Sequence, residues 1–243
     1  RVSALLPARS DLDARAQHDR LIALYIRSTK DVAAVTVPLT AYVLATSSML
    51  LSLYGEKSTL EVANWVTRIL LLGYAMNLLP GPGVSVALGK GNASLPMRAG
   101  LIATIGNILF TVVLFFAVGF YGIPVATSLA LTISTLWFFR ALRADVPVPP
   151  LQLLRTSLLW PVLASMPGYL CCQAVAIACV EYQNRVGNLA IAAACAVLFG
   201  TMYVLSIRLT PFIDRYDVTF LRDTLHLGRL PGFAFLTARV RDV

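Results

Sequence analysis

The sequence predicts an all-α integral membrane protein, a polytopic bundle of about six transmembrane helices. Three observations carry that expectation. The 243 residues are 58% hydrophobic and only 13% charged, whereas an ordinary globular chain is about a quarter charged. Mean hydropathy is +0.74. The charges gather into short segments that separate apolar runs of 18 to 23 residues, the length a helix needs to cross about 30 Å of hydrocarbon. A helix satisfies its own backbone, which is the condition for spanning lipid.

Taken in order, residues 1–30 are polar and read as a cytoplasmic loop. Within it, Leu12, Leu21, Leu24 and Ile26 stand among charges, which suits a helix lying on the membrane surface. The transmembrane bundle is expected over 31–207. Its first span covers about 32–54, with Pro38 in the first third, and Gly55–Ser58 forms a turn. The second covers about 66–88 and is interrupted by Pro80-Gly81-Pro82-Gly83. Lys90-Gly91-Asn92 turns the chain, Pro96 introduces the third span at about 99–120, and Gly122 and Pro124 return it into a fourth at 122–139. Residues 140–154 carry Pro147, Pro149 and Pro150 and read as a stiff exposed linker. The fifth span, 158–180, contains Pro161 and Pro167, and the sixth covers 189–207. The remaining 208–243 form a basic cytoplasmic tail with an amphipathic helix expected over Asp214–Leu227.

Six crossings place 17 of the 20 Lys and Arg residues on one side and leave Lys57, Arg68 and Arg185 on the other. The basic side is therefore expected to be cytoplasmic, with both ends of the chain there. This topology accounts for the net charge of +8. The basic residues stand singly beside apolar runs, so nucleic acid is not an expected partner. The chain begins at Arg1 without a signal-peptide pattern and reads as the later part of something longer.

The most unusual local feature is Asn77-Leu78-Leu79-Pro80-Gly81-Pro82-Gly83 inside a span. Prolines remove donors and glycines permit a bend. Such a break either builds a site or hinge, as in transporters, or is a packing kink. Asn107, with Thr104 and Thr111 at helical spacing, either lines a cavity or bonds across helices. Arg68 lies one turn inside the second span, where it either contacts substrate or snorkels outward. Tyr74 and Asn77 follow it by six and nine residues and need not share its face. Gln173 and Tyr169 read as helix packing, and Trp65, Trp137 and Trp160 as interfacial anchors. Cys171, Cys172, Cys179 and Cys195 all fall in spans and read as small packing residues. With two histidines and no paired intramembrane carboxylate, phosphate loop or Ser/His/Asp set, neither catalysis nor a metal or cofactor is expected. No acidic residue lies deep in a span, which weighs against a proton- or sodium-coupled site.

The segment Leu6-Pro7-Ala8-Arg9-Ser10-Asp11-Leu12-Asp13-Ala14, followed by Asp19-Arg20-Leu21, resembles the cytoplasmic loop of bacterial polysaccharide flippases. These are the O-antigen and exopolysaccharide exporters of the multidrug/oligosaccharidyl-lipid/polysaccharide superfamily. Arg68-Ile69-Leu70, Gly73-Tyr74, Asn77, Gly81-Pro82-Gly83, Lys90-Gly91-Asn92 with Pro96, Asn107 and Gly119–Ile123 continue the resemblance in order over about residues 4–140. It implies two helical bundles around a cavity open alternately to either side of the bacterial inner membrane, this chain forming most of the second lobe. The implied cargo is an undecaprenyl-pyrophosphate-linked oligosaccharide, with membrane lipids and polysaccharide polymerase or assembly proteins as further partners. Arg68 would then be a cavity cation and Arg98 a cation at the cytoplasmic mouth. Tyr74, Asn77 and Asn107 would line the cavity, and Pro80, Gly81, Pro82 and Gly83 would shape or hinge it. The rivals are a drug or cation antiporter of the same superfamily and a non-transporting scaffold that docks an assembly enzyme. A membrane glycosyltransferase would need a larger external loop than Gly55–Trp65.

Overall fold

The computed structural model describes residues 5–53, 57–179 and 185–212, and the expected tail helix at Asp214–Leu227 lies outside them. All regular structure among the described residues is helical: α1 (Leu5–Leu51), α2 (Lys57–Leu78), α3 (Gly81–Gly89), α4 (Ser94–Val118), α5 (Gly122–Leu142), the single turn α6 (Pro150–Leu153), α7 (Leu159–Ala178) and α8 (Arg185–Arg208).

Among the described residues, five segments are long and apolar enough to cross a membrane: Arg20–Leu51, Thr59–Gly89, Ser94–Leu142, Arg155–Ala178 and Arg185–Arg208. The 49-residue Ser94–Leu142 segment is two crossings. Its halves α4 and α5 lie antiparallel, with Asn107 bonded to Thr127 and Ser134 to the carbonyl of Ala99. The return is made at Gly119, whose φ of 73° favours glycine. At Gly122 a Cβ would stand 2.3 Å from the carbonyl oxygen of Leu114. Among the described residues the bundle therefore has six helical segments of membrane-spanning length. The α4–α5 hairpin packs on α2, α2 on α1, and α1 on the α7–α8 hairpin.

Two elements differ from expectation. The boundary expected at residue 30 falls inside α1, which runs unbroken from Leu5 to Leu51. Polarity changes at Lys30, but no glycine or proline lies between Pro7 in the first turn and Pro38. Tyr25, Thr29 and Ala33 are 4%, 2% and 0% exposed, a stripe at i, i+4 and i+8 that packs into the bundle. At 1.5 Å per residue α1 is about 70 Å long, so it extends well past the hydrocarbon. The linker after α5 is also packed. Val146 and Val148 are buried with Tyr25, Phe138, Leu142 and Leu153, while Pro147 and Pro149 face outward. Alternation along a stiff extended segment buries the valines.

Other packing contacts are polar, as expected where lipid supplies no hydrophobic drive between helices. The Tyr42 hydroxyl donates to the carbonyl of Ala192 at 2.9 Å and the Tyr203 hydroxyl to that of Ala34 at 2.8 Å, tying α1 to α8. The Cys172 thiol donates to the carbonyl of Cys195 at 3.4 Å, and the four cysteines are unpaired.

Candidate functional site

The second crossing is broken where its sequence dictates. α2 ends at Leu78 and α3 begins at Gly81. Pro80 and Pro82 have no N–H, so the carbonyls of Met76 and Leu78 lose their usual i+4 donors. The Met76 carbonyl accepts the Leu79 N–H at 3.4 Å and, from α5, the Thr135 hydroxyl at 3.4 Å. The Pro80 carbonyl accepts the Val84 N–H at 2.9 Å and starts the next helix. Freed backbone groups at membrane depth are tolerated where neighbouring helices or an aqueous space satisfy them.

At the break lies a cavity of about 490 Å³ lined in part by Asn77, Pro80, Gly81, Pro96, Thr104 and Ser134. Ser134 donates to the carbonyl of Ala99 at 2.6 Å and Thr104 to that of Gly100 at 3.0 Å. The side chains of Asn77 and Thr104 are exposed. Tyr74, Asn77, Gly81 and Ser85, three or four residues apart, form one exposed face of α2–α3. The neighbouring surface of α4 is different. Leu101, Ile105, Ile108, Leu109, Val112 and Phe116 are exposed, as suits a lipid contact. A row of polar and small residues in hydrocarbon is costly, so the Tyr74–Ser85 face suits water or another part of a larger protein.

The other expected residues lie elsewhere. Arg68 and Asn77 are nine residues apart, half a turn around the helix at 3.6 residues per turn, and Arg68 is directed to α1. Its Nε donates to Ser47 Oγ at 3.1 Å. Ser47, 1% exposed, lies 2.5 Å from Asn64 Oδ1, to which it donates. Arg68 thus belongs to a polar α1–α2 cluster in the half of the bundle opposite Lys90–Asn92, and it lies nine residues inside the Thr59–Gly89 segment, deeper than the one turn expected. Asn107 lies on the α4–α5 seam. Its Nδ2 donates to Thr127 Oγ1 at 3.2 Å, and its Oδ1 accepts from Thr111 at 3.1 Å. Arg98 is exposed one turn into α4. The Lys90–Asn92 turn is fastened to the end of α5, where Lys90 Nζ donates to the carbonyl of Asp145 and Asn92 Nδ2 to its carboxylate at 2.9 Å.

Ser47 and Asn64 were not among the expected site residues. Asn64 lies one turn before Arg68, a spacing that signals a shared face, but Ser47 stands on another helix. Gln173 Oε1 is buried without a hydrogen-bond partner among the described residues.

The family model described as "Lipid II flippase MurJ" matches residues 2–206. The match supports the lipid-linked flippase kind that the sequence resemblance implied, and its description names lipid II where that resemblance pointed to O-antigen and exopolysaccharide exporters. No curated protein and no solved structure matches the chain.

Proposed function

Because the chain belongs to the lipid II flippase family, we propose that it is part of a flippase carrying lipid II across the bacterial inner membrane by alternating access. The observation that supports this most is the exposed face Tyr74–Asn77–Gly81–Ser85 beside the break and its cavity. A lipid-linked saccharide brings a polar headgroup through an apolar layer, and it needs polar surface at membrane depth to replace water. Tyr74, Asn77 and Thr104 meet the headgroup there, and Pro80, Gly81, Pro82 and Gly83 let α2 and α3 change their relative angle. Arg98 draws the anionic pyrophosphate at the cytoplasmic mouth, while Arg68, turned from this face to Ser47, braces α1 against α2. Asn107 holds α4 to α5 behind this surface. The chain acts as most of the second of two lobes, with both of its ends cytoplasmic. It binds and turns its cargo without making or breaking a covalent bond.

A second reading keeps the mechanism and changes the saccharide. The ordered motifs from Leu6 to Ile123 resemble O-antigen exporters, whose cargo shares the isoprenyl pyrophosphate. The deciding experiment reconstitutes the complete protein in vesicles with fluorescent lipid II and follows the arrival of label at a membrane-impermeant quencher. Lipid II crosses in the wild type, and Asn77→Ala with Thr104→Val slows crossing at least 10-fold. If only an O-antigen precursor crosses, the second reading replaces the first. If neither crosses, the flippase reading fails.

A further inference from the structure

Both arms of the broken crossing lie against α5, but different forces hold them there. On the α2 side, Ser128 donates to the carbonyl of Ile69 at 2.7 Å. Gly73 brings the helices so close that an added Cβ would stand 2.6 Å from Ser128 Cα. These contacts lie at membrane depth, where no water competes for the bond. On the α3 side, the two buried residues are both small, Gly83 and Ala87, with Val84 and Val86 partly buried beside them. A Cβ at Gly83 would meet Leu142, Phe138 and Tyr25 at 2.8, 2.9 and 3.3 Å. The seat of α3 is close-fitting, but apolar stabilisation follows buried area, and a glycine and an alanine bring little.

The far end of α3 is fastened by polar bonds. Asn92 Nδ2 donates to the Asp145 carboxylate at 2.9 Å, and its Oδ1 accepts from Ser94 Oγ at 2.9 Å. One amide therefore joins the turn after α3, the first residue of α4 and the segment after α5. The Asn92 N–H donates to the carbonyl of Ala87 at 2.8 Å, and Lys90 Nζ donates to the carbonyl of Asp145. Lys90 is exposed, and Asn92 and Asp145 are half-buried. Water competes for bonds in such places, so each is individually weak. α4 does not depend on them, because Ser134 holds the carbonyl of Ala99 at 2.6 Å.

We infer that α3 is a gate arm and that the Asn92–Asp145 clasp holds it shut. When the clasp opens, α3 swings about Pro80–Gly83 away from Phe138 and Leu142, while α2 and α4 stay on α5. The 490 Å³ cavity has Gly81 and Val84 on its moving side and Ser134 and Phe138 on its fixed side, so its width follows the angle of α3. Asp145 and Asn92 are positioning residues that act on the cavity through α3. Their part in admitting cargo rests on the flippase reading above, whereas the motion itself does not.

The test has two arms, both in a cysteine-free background of the complete protein. In the first, nitroxides at Leu88→Cys on α3 and Leu129→Cys on α5, both exposed positions, report their separation by double electron–electron resonance. A major short and a minor long distance are expected. Asn92→Ala and Asp145→Ala should each raise the long population at least 3-fold, and Asp145→Asn, which keeps an acceptor for Asn92, should restore the original distribution. In the second, Asn92→Cys and Asp145→Cys are bridged by a reducible bifunctional thiosulfonate. Lipid II crossing in vesicles should fall at least 10-fold and return on reduction. An unchanged distance distribution in both alanine variants would overturn the clasp, and undiminished crossing with the bridge in place would overturn the gate. The distances are read without cargo, so they decide the clasp even if lipid II crosses in no form of the protein, the result by which the flippase reading itself fails.

Discussion

A methyl group at Gly73 would stand 2.6 Å from Ser128 Cα and 2.7 Å from its Cβ and Oγ. The neighbour in the way is backbone as well as side chain, so α2 and α5 would have to part. Ser128 also donates to the carbonyl of Ile69 at 2.7 Å, and parting the helices breaks that bond. At Gly106 the nearest atom to an added Cβ is Ala130 Cβ at 3.6 Å, an ordinary contact. Gly73→Ala is therefore expected to cost about 1–3 kcal/mol through overpacking, and Gly106→Ala less than about 0.5 kcal/mol. Reversible unfolding of the two variants in bicelles checks this, and equal losses would show that the α2–α5 approach is not tight. At the residue scale the sequence was partly legible. Glycines and polar residues inside apolar runs mark contacts, and the polarity of Arg68, Asn77 and Asn107 was visible. Their directions were not. Arg68 turns to a buried serine 21 residues away, and Asn107 finds Thr127 across the hairpin. Such partners depend on which helices become neighbours.

The break between α2 and α3 was legible because two prolines in three residues cannot donate to the turn before them. What satisfies the break was not, since Thr135 is 59 residues from Met76. Thr135 is 1% exposed, so its hydroxyl has no aqueous alternative. Thr135→Val should cost about 1 kcal/mol, within the range of polar bonds between membrane helices, whereas Thr135→Ser keeps the donor and should recover most of it. Unfolding free energies of the pair give the answer, and equal losses in both would point to the lost methyl contact instead. The continuity of α1 was hidden for a related reason. Polarity marks where lipid ends, but it does not mark where a helix ends, and the Tyr25–Thr29–Ala33 stripe has meaning only once α3, α4 and α5 are beside it. The valines at 146 and 148 were hidden likewise, because a proline-rich composition reads as exposed until a surface is present to receive its alternate residues.

At the scale of the whole molecule, the six crossings put Tyr25, Ala87, Leu95, Leu142 and Leu153 together at one end. At the other, Ser52 accepts from Asn188 at 2.8 Å and Met49 packs on Ala176 and Ala192. The ends of six helices alternate between these two regions, so fixing the side of one loop fixes them all. By the positive-inside tendency the first end is the one proposed to be cytoplasmic, and the Lys90–Asp145 and Asn92–Asp145 bonds hold its loops together. A cysteine-free background is attainable, since the native cysteines are unpaired and the two buried ones pack as small side chains. Within it, Glu61→Cys and Arg143→Cys place single thiols at exposed positions near opposite ends. In spheroplasts a membrane-impermeant maleimide should label Glu61→Cys at once and reach Arg143→Cys only after permeabilisation. The opposite pattern would invert the molecule, placing Arg68 toward the cytoplasm and Arg98 toward the outside. The mouth proposed at Arg98 would then open to the outside, while the six-helix fold would stand. Labelling of both thiols from outside would instead require an odd number of crossings between residues 61 and 143 to become even, which breaks the α4–α5 hairpin at Gly119 or the α2–α3 continuation at Pro80.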